Sequence, residues 1–548
     1  MANTTEESAP ILPGQGQAHP LDARVADALA LLEEIAVDRD RLLGIPEDQR
    51  QRLLRAAGEV SRPDAVKRRQ VIKATKRQKK IKQRERVADI ETRLTESGIR
   101  RLRKQSVFLT PNYFPADASA GAASLGGTDD LSEKASPSDL RDAQQTETRH
   151  CYTCKQPFDV LHHFYDQLCP PCATFNFAKR SELADLRGRV ALLTGGRVKI
   201  GYQAGIKLLR AGAHLIVTTR FARDSAARYA AEPDFEEWSD RLEIFGLDLR
   251  HTPSVEAFCQ QLLDTHDRLD FIINNACQTV RRPPDFYRHM MELEAAALGT
   301  MSPEMRKLIG RYEGVRGFEM LRDGPGQADA APLFAVGSQR GVDAAPGMTH
   351  AASLSQLALL ADEQAPRPHL FPEGRLDQDL QQVDLRDRNS WRLLMHEVPA
   401  VELLEVHLIN AVAPFLINAR LKPLMQRVPT RDKHIVNVSA VEGQFYRKLK
   451  TTRHPHTNMA KAALNMMTRT SAADYFADGI HMNSVDTGWV TDEDPVEVAA
   501  RKTAEHRFHP PLDIVDGAAR IVDPIVDGIN TGQHVWGQFL KDYKPTDW

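Results

Sequence analysis

Two groups of residues in this 548-residue chain have the types and spacing to do chemistry. The first is Thr194-Gly195-Gly196-Arg197-Val198-Lys199-Ile200-Gly201, set between an apolar run from Val190 to Leu193 and an amphipathic one from Ala204 to Leu209. It reads as strand, glycine-rich turn and helix. Such a turn brings a phosphate to a helix N-terminus: glycines let the backbone approach, and unpaired N–H groups with the helix dipole hold the anion. Taken alone, it is also the pattern of an ordinary tight connection. The second group is Cys151-x-x-Cys154 and Cys169-x-x-Cys172, with fourteen residues between the pairs. Paired thiolates at this spacing can close a tetrahedral zinc site, leaving no open position, so the expected role is structural. The alternative is buried or redox-active thiols. His162 and His163 lie between the pairs and could replace a cysteine as ligand.

These residues need elements to position them. After the glycine turn come three further buried runs: His214 to Arg220, Leu242 to Leu249, and Leu269 to Ala276. Alternation with helical segments predicts an α/β fold, a Rossmann-like doubly wound parallel sheet covered on both faces. In a dinucleotide fold the residue ending the second strand meets the adenosine ribose, where an acid takes the 2′-hydroxyl and a basic residue a 2′-phosphate. Here that end carries Thr219 and Arg220, with Arg223 nearby, which favours NADP(H) over NAD(H). Asp248, at the end of the third strand, could bond the adenine amino group.

From residue 188 to the C-terminus the chain resembles the short-chain dehydrogenase/reductase family. The matching motifs are T-G-x-x-x-x-x-G at 194–201, Asp248-Leu249, Asn274-Asn275-Ala276, Asn410-x-x-Ala-Pro-Phe415, Ile435-Val-Asn-Val-Ser439, Lys461 in Ala-Lys-Ala-Ala-Leu464, and Asn483-x-Val-x-Thr-Gly488. The resemblance implies hydride transfer between a nicotinamide and a carbonyl or alcohol. It implies cofactor contacts at Thr194, Gly195, Arg197, Lys199, Ile200, Gly201, Arg220, Asp248, Leu249, Asn275, Ala276, Lys461 and Gly488. It also implies that a tyrosine exchanges the proton, with a lysine four residues later lowering its pKa, a serine orienting the substrate oxygen, and an asparagine supporting the lysine.

The residue-by-residue match is incomplete. Asn410 and Lys461 stand in the asparagine and lysine positions. Thr457 stands where the tyrosine is expected, and Ala440 where the serine is, with Ser439 one place earlier. A threonine hydroxyl is a far poorer acid than a phenol. Tyr446, His454 and His456 precede Lys461 and could supply the proton, although solvated loop histidines are an equal reading. Lys199 replaces a glycine in the phosphate turn, where it can strain a left-handed position or place charge beside a phosphate. Two functions therefore stay open: an oxidoreductase with a modified proton donor, or a nucleotide-binding, catalytically weak protein acting through a partner.

The rest of the chain reads as a polar, partly helical extension (1–148), a zinc-ribbon-like module (149–180) and the sheet domain (186–548) with an insertion at about 282–388. Residues 1–20 are expected to be disordered and 110–148 to form a linker. Residues 67–86 carry eleven Lys/Arg and one Glu but no aromatic that could stack on a base, so nucleic acid is not the expected partner. The formal net charge is −2. No apolar run reaches about 18 residues, so no membrane span is expected. A cytoplasmic protein is expected, and by the family resemblance a homo-oligomer. The substrate is not decodable from these residues.

Overall fold

Strands that bury both faces organise most of the chain. The computed structural model describes residues 20–62, 65–112, 148–296, 300–309, 351–446 and 450–548. The disorder expected for residues 1–19, most of the 110–148 linker and the middle of the insertion lie outside the described residues. The chain divides into two compact units, residues 1–92 and 93–548. The first holds the helices Pro20–Val37 and Glu47–Ser61 and most of Ala65–Thr95. The basic stretch lies on the last of these, and its side chains are exposed wherever they are described.

The second unit begins its strands with a two-stranded antiparallel hairpin, β1 (Arg149–His150) and β2 (Pro157–Phe158), followed by the helix Pro170–Ser181. Then comes an eight-stranded sheet. Its strands are β3 (Val190–Thr194), β4 (His214–Thr219), β5 (Leu242–Gly246), β6 (Phe271–Asn274), β7 (Lys433–Ser439), β8 (Ile480–Asp486), β9 (Phe539–Lys541) and β10 (Lys544–Thr546). Their order is β10-β9-β8-β7-β6-β3-β4-β5, parallel except for the terminal β9–β10 pair. Side chains alternate between two cores. Ala191, Leu193, Leu215 and Val217 pack with Ala204, Leu208 and Ile521 of the helices Lys199–Arg210 and Ile514–Thr531. Leu192 and Ile216 face Phe258, Ile417 and Ala472 of the helices Thr252–Thr265, Ala413–Gln426 and Pro455–Ala477. This is the doubly wound arrangement expected. The strand order reverses at β3, between β4 and β6, and ligands of such sheets bind beyond the carboxyl ends at that reversal.

One helical run, Ala400–Gln426, is long and apolar enough to cross a membrane, which the sequence reading did not anticipate. Its residues Ile409, Ala413, Ile417, Leu421, Leu424 and Met425 are buried against the sheet.

Candidate functional site

The glycine-rich turn leaves β3 at the reversal point. Gly195 has φ +70°, and a Cβ there would lie 2.9 Å from Ala276 Cα. At Gly201 a Cβ would lie 2.2 Å from Gly195 O and 2.4 Å from Asn275 Nδ2, so no side chain fits. Asn275 Nδ2 donates to Thr194 O (3.1 Å) and Gly195 O (3.2 Å), and Ala276 N–H to Thr194 Oγ1 (3.0 Å). The Asn-Asn-Ala motif after β6 therefore holds the turn in shape. Lys199 does occupy the left-handed region, with φ +54° at the first residue of its helix. Its charge lowers the pKa of Glu493 against the burial that raises it. Ile200 packs on Gly517 of the helix Ile514–Thr531.

The arginines differ in availability. Arg197, expected at a phosphate, is buried and turned away into the protein. It pairs with Asp224 (2.6 Å), donates to Gln381 Oε1 (2.7 Å) and lies over the Phe221 ring. Its charge is already compensated. Arg223 is fully buried against the helix Pro284–Ala295 and donates to the Ala296 carbonyl. Arg220, just beyond β4, donates to Tyr287 Oη (2.7 Å) and stacks over that ring at 4.5 Å. Asp248 is buried, which raises its pKa, but two-pronged bonds from Arg250 (3.0 and 2.6 Å) leave it below the ordinary value. That carboxylate is engaged by Arg250 on both oxygens, and Leu249 after it is buried.

At the carboxyl ends of β6, β7 and β8 a buried amide network sets the strand ends. Asn274 Nδ2 donates to Asn418 Oδ1 and Asn437 Oδ1 (both 2.8 Å), and Asn437 Nδ2 to Thr468 Oγ1 (2.9 Å). Asn410 lies in a π-helical turn, Leu408–Val412, a feature that recurs at functional sites. Its Oδ1 accepts from Gln278 N–H (2.8 Å) and its Nδ2 donates to Gln278 O (3.1 Å). Lys461 is buried on the helix Pro455–Ala477 and donates to Val438 O (2.7 Å), the residue before Ser439. Ser439 Oγ is buried with no hydrogen-bond partner.

Thr457 is held in a local cap. Its Oγ1 donates to His454 O (2.8 Å) and lies 3.1 Å from His454 Nδ1. Because the hydroxyl proton is spent on the carbonyl, Nδ1–H of His454 is the donor of the second bond. Neither histidine is a solvated loop residue. His454 has φ +44°, stacks on Trp391 at 3.8 Å and has its pKa pushed down to about 4 by burial, with His456 adding to the effect. His456 is buried 3.2 Å from Glu402 Oε1. Tyr446 is 52% exposed, and its hydroxyl faces Gln444 (3.3 Å) and Thr546 (3.4 Å), so the structure gives it no hydrogen bond to Lys461 or Asn410. Gly488 has φ +76°, and a Cβ there would meet Leu512 Cδ1 at 2.5 Å.

Sequence reading missed Asp486. It is the register partner of Ser439 across β7–β8. Its two oxygens accept from Val441 N–H (3.1 Å) and Gly488 N–H (3.2 Å). Burial pushes its pKa up to about 6, with Glu442 and Asp542 adding and Lys541 opposing. The signal in the sequence was an ionisable residue ending a strand otherwise buried throughout.

The four cysteines converge, all Sγ atoms lying within 4.8 Å of one another and Cys154 and Cys169 at 3.6 Å. They are free thiols. A zinc ion with Zn–S bonds of about 2.3 Å places its sulfurs about 3.8 Å apart, so the set fits. His162 is not among them: its Nδ1 accepts from Phe164 N–H (3.1 Å). The module shares a core with the segment after β8, because Cys151, Phe158, Tyr165 and Leu168 pack with Val490, Leu512, Ile514 and Val515. Arg180 pairs with Asp513 (2.7 Å) and Asp516 (2.9 Å), and Trp489 N–H donates to Tyr152 Oη (3.0 Å).

Comparison with known proteins follows the same lines. Residues 189–295 match the short chain dehydrogenase family and residues 389–510 the enoyl-(acyl carrier protein) reductase family. An uncharacterised mimivirus protein, R665 of Acanthamoeba polyphaga mimivirus, is 29% identical over 395 residues, covering 70% of this chain and 72% of that one. Dehydrogenase/reductase SDR family member 13 of Bos taurus is 33% identical over 128 residues, 23% of this chain and 32% of its own length. The match thus spans about a third of that dehydrogenase. Among solved structures, the Pseudomonas aeruginosa RhlG/NADP complex aligns at 16% identity and TM-score 0.38, over 65% of this chain and 95% of that one. The paired matches on either side of residues 296–388, together with the reversal-point turn and the parallel sheet, place the sheet domain of this chain in the short-chain dehydrogenase/reductase family.

Proposed function

We propose that the protein is an NADP(H)-dependent oxidoreductase acting on a carbonyl or alcohol, with a rebuilt proton donor. The observation that carries this reading is the buried Lys461 ammonium on Val438 O at the carboxyl end of β7, with Asn410 bonded to Gln278 just after β6 and the glycine turn just after β3. A bound nicotinamide would supply the hydride. The turn 194–201, Asn275 and Ala276 would take its phosphates and ribose, and Lys461 the second ribose. Arg220 would meet a 2′-phosphate, since it has no ion-pair partner among the described residues and Tyr287 holds its plane. NADPH should then bind roughly ten- to a hundredfold more tightly than NADH, the worth of a charge-assisted contact of about 1.5–3 kcal/mol. Fluorescence titration of both cofactors checks this, and the gap should shrink in Arg220→Ala. Equal affinities in the unaltered protein refute it.

For the proton, Thr457 is the wrong group, being locked to His454 O with an alcohol's weak acidity. Asp486 is the group we assign, because it ends β8 beside Ser439 at the carboxyl edge and burial raises its pKa toward neutrality. The sign follows: carbonyl reduction needs the protonated carboxyl, so kcat/KM should fall as pH rises through about 6, and alcohol oxidation should fall as pH drops through the same value. Asp486→Asn should abolish that limb, while Thr457→Val should keep it with a modest loss of turnover. A pH profile unchanged in Asp486→Asn rules the assignment out.

The locked Thr457 and compensated Arg197 also favour a second reading, a nucleotide-binding protein of little catalytic power acting through a partner. NADPH binding without absorbance loss over a panel of aldehydes and ketones would select it. The zinc in the cysteine cluster, a cytoplasmic location and a homo-oligomer belong to the same proposal.

A further inference from the structure

A second cluster of metal-ligating groups lies at the opposite edge of the sheet. His214 opens β4, Glu243 is the second residue of β5, and His266 follows the helix Thr252–Thr265. β4 and β5 are parallel to β3, whose far end carries the glycine turn, so this cluster sits at the amino edge, remote from the cofactor turn. His214 Nε2 is 2.8 Å and His266 Nε2 3.5 Å from the same oxygen, Glu243 Oε1. The three candidate donor atoms all lie within 4.8 Å of one another.

The hydrogen-bond chain around His266 decides its protonation. Thr265 Oγ1 donates its proton to Gln261 O (2.7 Å), so toward His266 Nδ1 (2.9 Å) it can only accept. Nδ1 therefore carries hydrogen, and neutral His266 presents a bare Nε2 lone pair. That nitrogen is buried, has no hydrogen-bond partner among the described residues, and faces a carboxylate oxygen. Two lone pairs facing each other repel. A cation between them removes the repulsion, either a second ring proton or a metal ion.

We propose that His214, Glu243 and His266 bind a divalent first-row transition ion of borderline softness, such as Zn²⁺ or Co²⁺. Metal–nitrogen and metal–oxygen bonds of about 2.0–2.2 Å place neighbouring donors about 2.9–3.6 Å apart. The 3.5 Å separation matches that spacing, and the 2.8 Å one, a hydrogen bond between His214 and Glu243 here, would have to open slightly around an ion. Two imidazoles and a carboxylate suit such ions, and the threonine bond to Nδ1 is the outer contact that orients a ligating histidine. Three protein ligands leave further positions to water. His214 and Glu243 line a cavity of about 180 Å³ that supplies the room, and Lys307 on its wall is turned to Ser239 Oγ (2.8 Å). The ion ties β4, β5 and the end of a helix together, a structural clamp on the adenosine half of the sheet.

The test uses full-length protein with its cysteine cluster zinc-loaded, titrated with Co²⁺ at pH 8. The expected result is one Co²⁺ per chain with weak visible bands and no thiolate charge-transfer band, together with a metal-dependent rise in Tm. His266→Asn and Glu243→Gln should each weaken binding at least tenfold and lose the Tm rise. Metal-free circular dichroism of His266→Asn should match the unaltered protein, and if Glu243→Gln fails to fold, the His266→Asn comparison stands alone. No Co²⁺ bound beyond the cysteine cluster, or equal binding in His266→Asn, overturns the proposal.

Discussion

Lys461→Ala should cost the protein both cofactor affinity and turnover while leaving the sheet folded. The ammonium is buried and makes a charge-assisted bond to Val438 O. Losing such a contact is worth about 1.5–3 kcal/mol, so NADPH should bind roughly ten- to a hundredfold more weakly. Turnover should fall further, by about 10²–10⁴, since the lysine also supports acid/base exchange in this reading. NADPH fluorescence titration and steady-state rates measure the two losses separately. Thermal melting is the control, because truncation leaves Val438 O unpaired at a cost of about 1–3 kcal/mol. If Lys461→Ala binds NADPH as well as the unaltered protein, the site has been assigned to the wrong lysine.

Removal of the zinc proposed at the cysteine cluster should have the second large effect, and it should reach the sheet domain. Structural zinc contributes on the order of 10 kcal/mol to folding of a small module, comparable with the whole stability of a domain, about 5–15 kcal/mol. The module core runs directly into Val490, Leu512, Ile514 and Val515, and Arg103 donates to Leu512 O (2.6 Å). These residues follow Gly488, where the nicotinamide end of the site is proposed. Cys151→Ser/Cys169→Ser protein should therefore lose about one zinc per chain by elemental analysis and fall in soluble yield. Whatever folds should show protease cleavage within 489–513 before any change at β3–β5. Full zinc retention in the double variant would sink the metal assignment. Intact 489–513 in a zinc-free protein would show the docking to be independent of the metal.

Much was legible in the chain because local rules sufficed. Four buried runs separated by helical periodicity required a parallel sheet, since strands apolar on both faces need helices on both sides. Gly195 and Gly201 were readable because only a residue without a Cβ fits where the turn closes on Ala276 and Asn275. The paired cysteines were readable because spacing alone brings two hairpin thiol pairs together.

What the sequence left undecided turned on partners far away in the chain. Arg197 and Arg220 are the same residue type near one turn, yet one is compensated by Asp224 and Gln381 and the other is not. Tyr446 has the right spacing to Lys450 but faces Thr546 at the C-terminus, because chemistry follows the fold and not the interval. His454 and His456 look like loop residues until Trp391 and Glu402, brought in from earlier in the chain, pack against them. Burial of Asp486 by the β7–β8 ladder and the turn after it raises its pKa, with Glu442 and Asp542 adding. The triad of His214, Glu243 and His266 has no sequence signature, since its members come from two strands and a helix end that only sheet register aligns. Sequence by itself determined the fold, the cofactor turn and the four thiols, because spacing and backbone requirements are local. Tertiary structure alone decided which charges are free, because pairing and desolvation depend on what the fold packs against them.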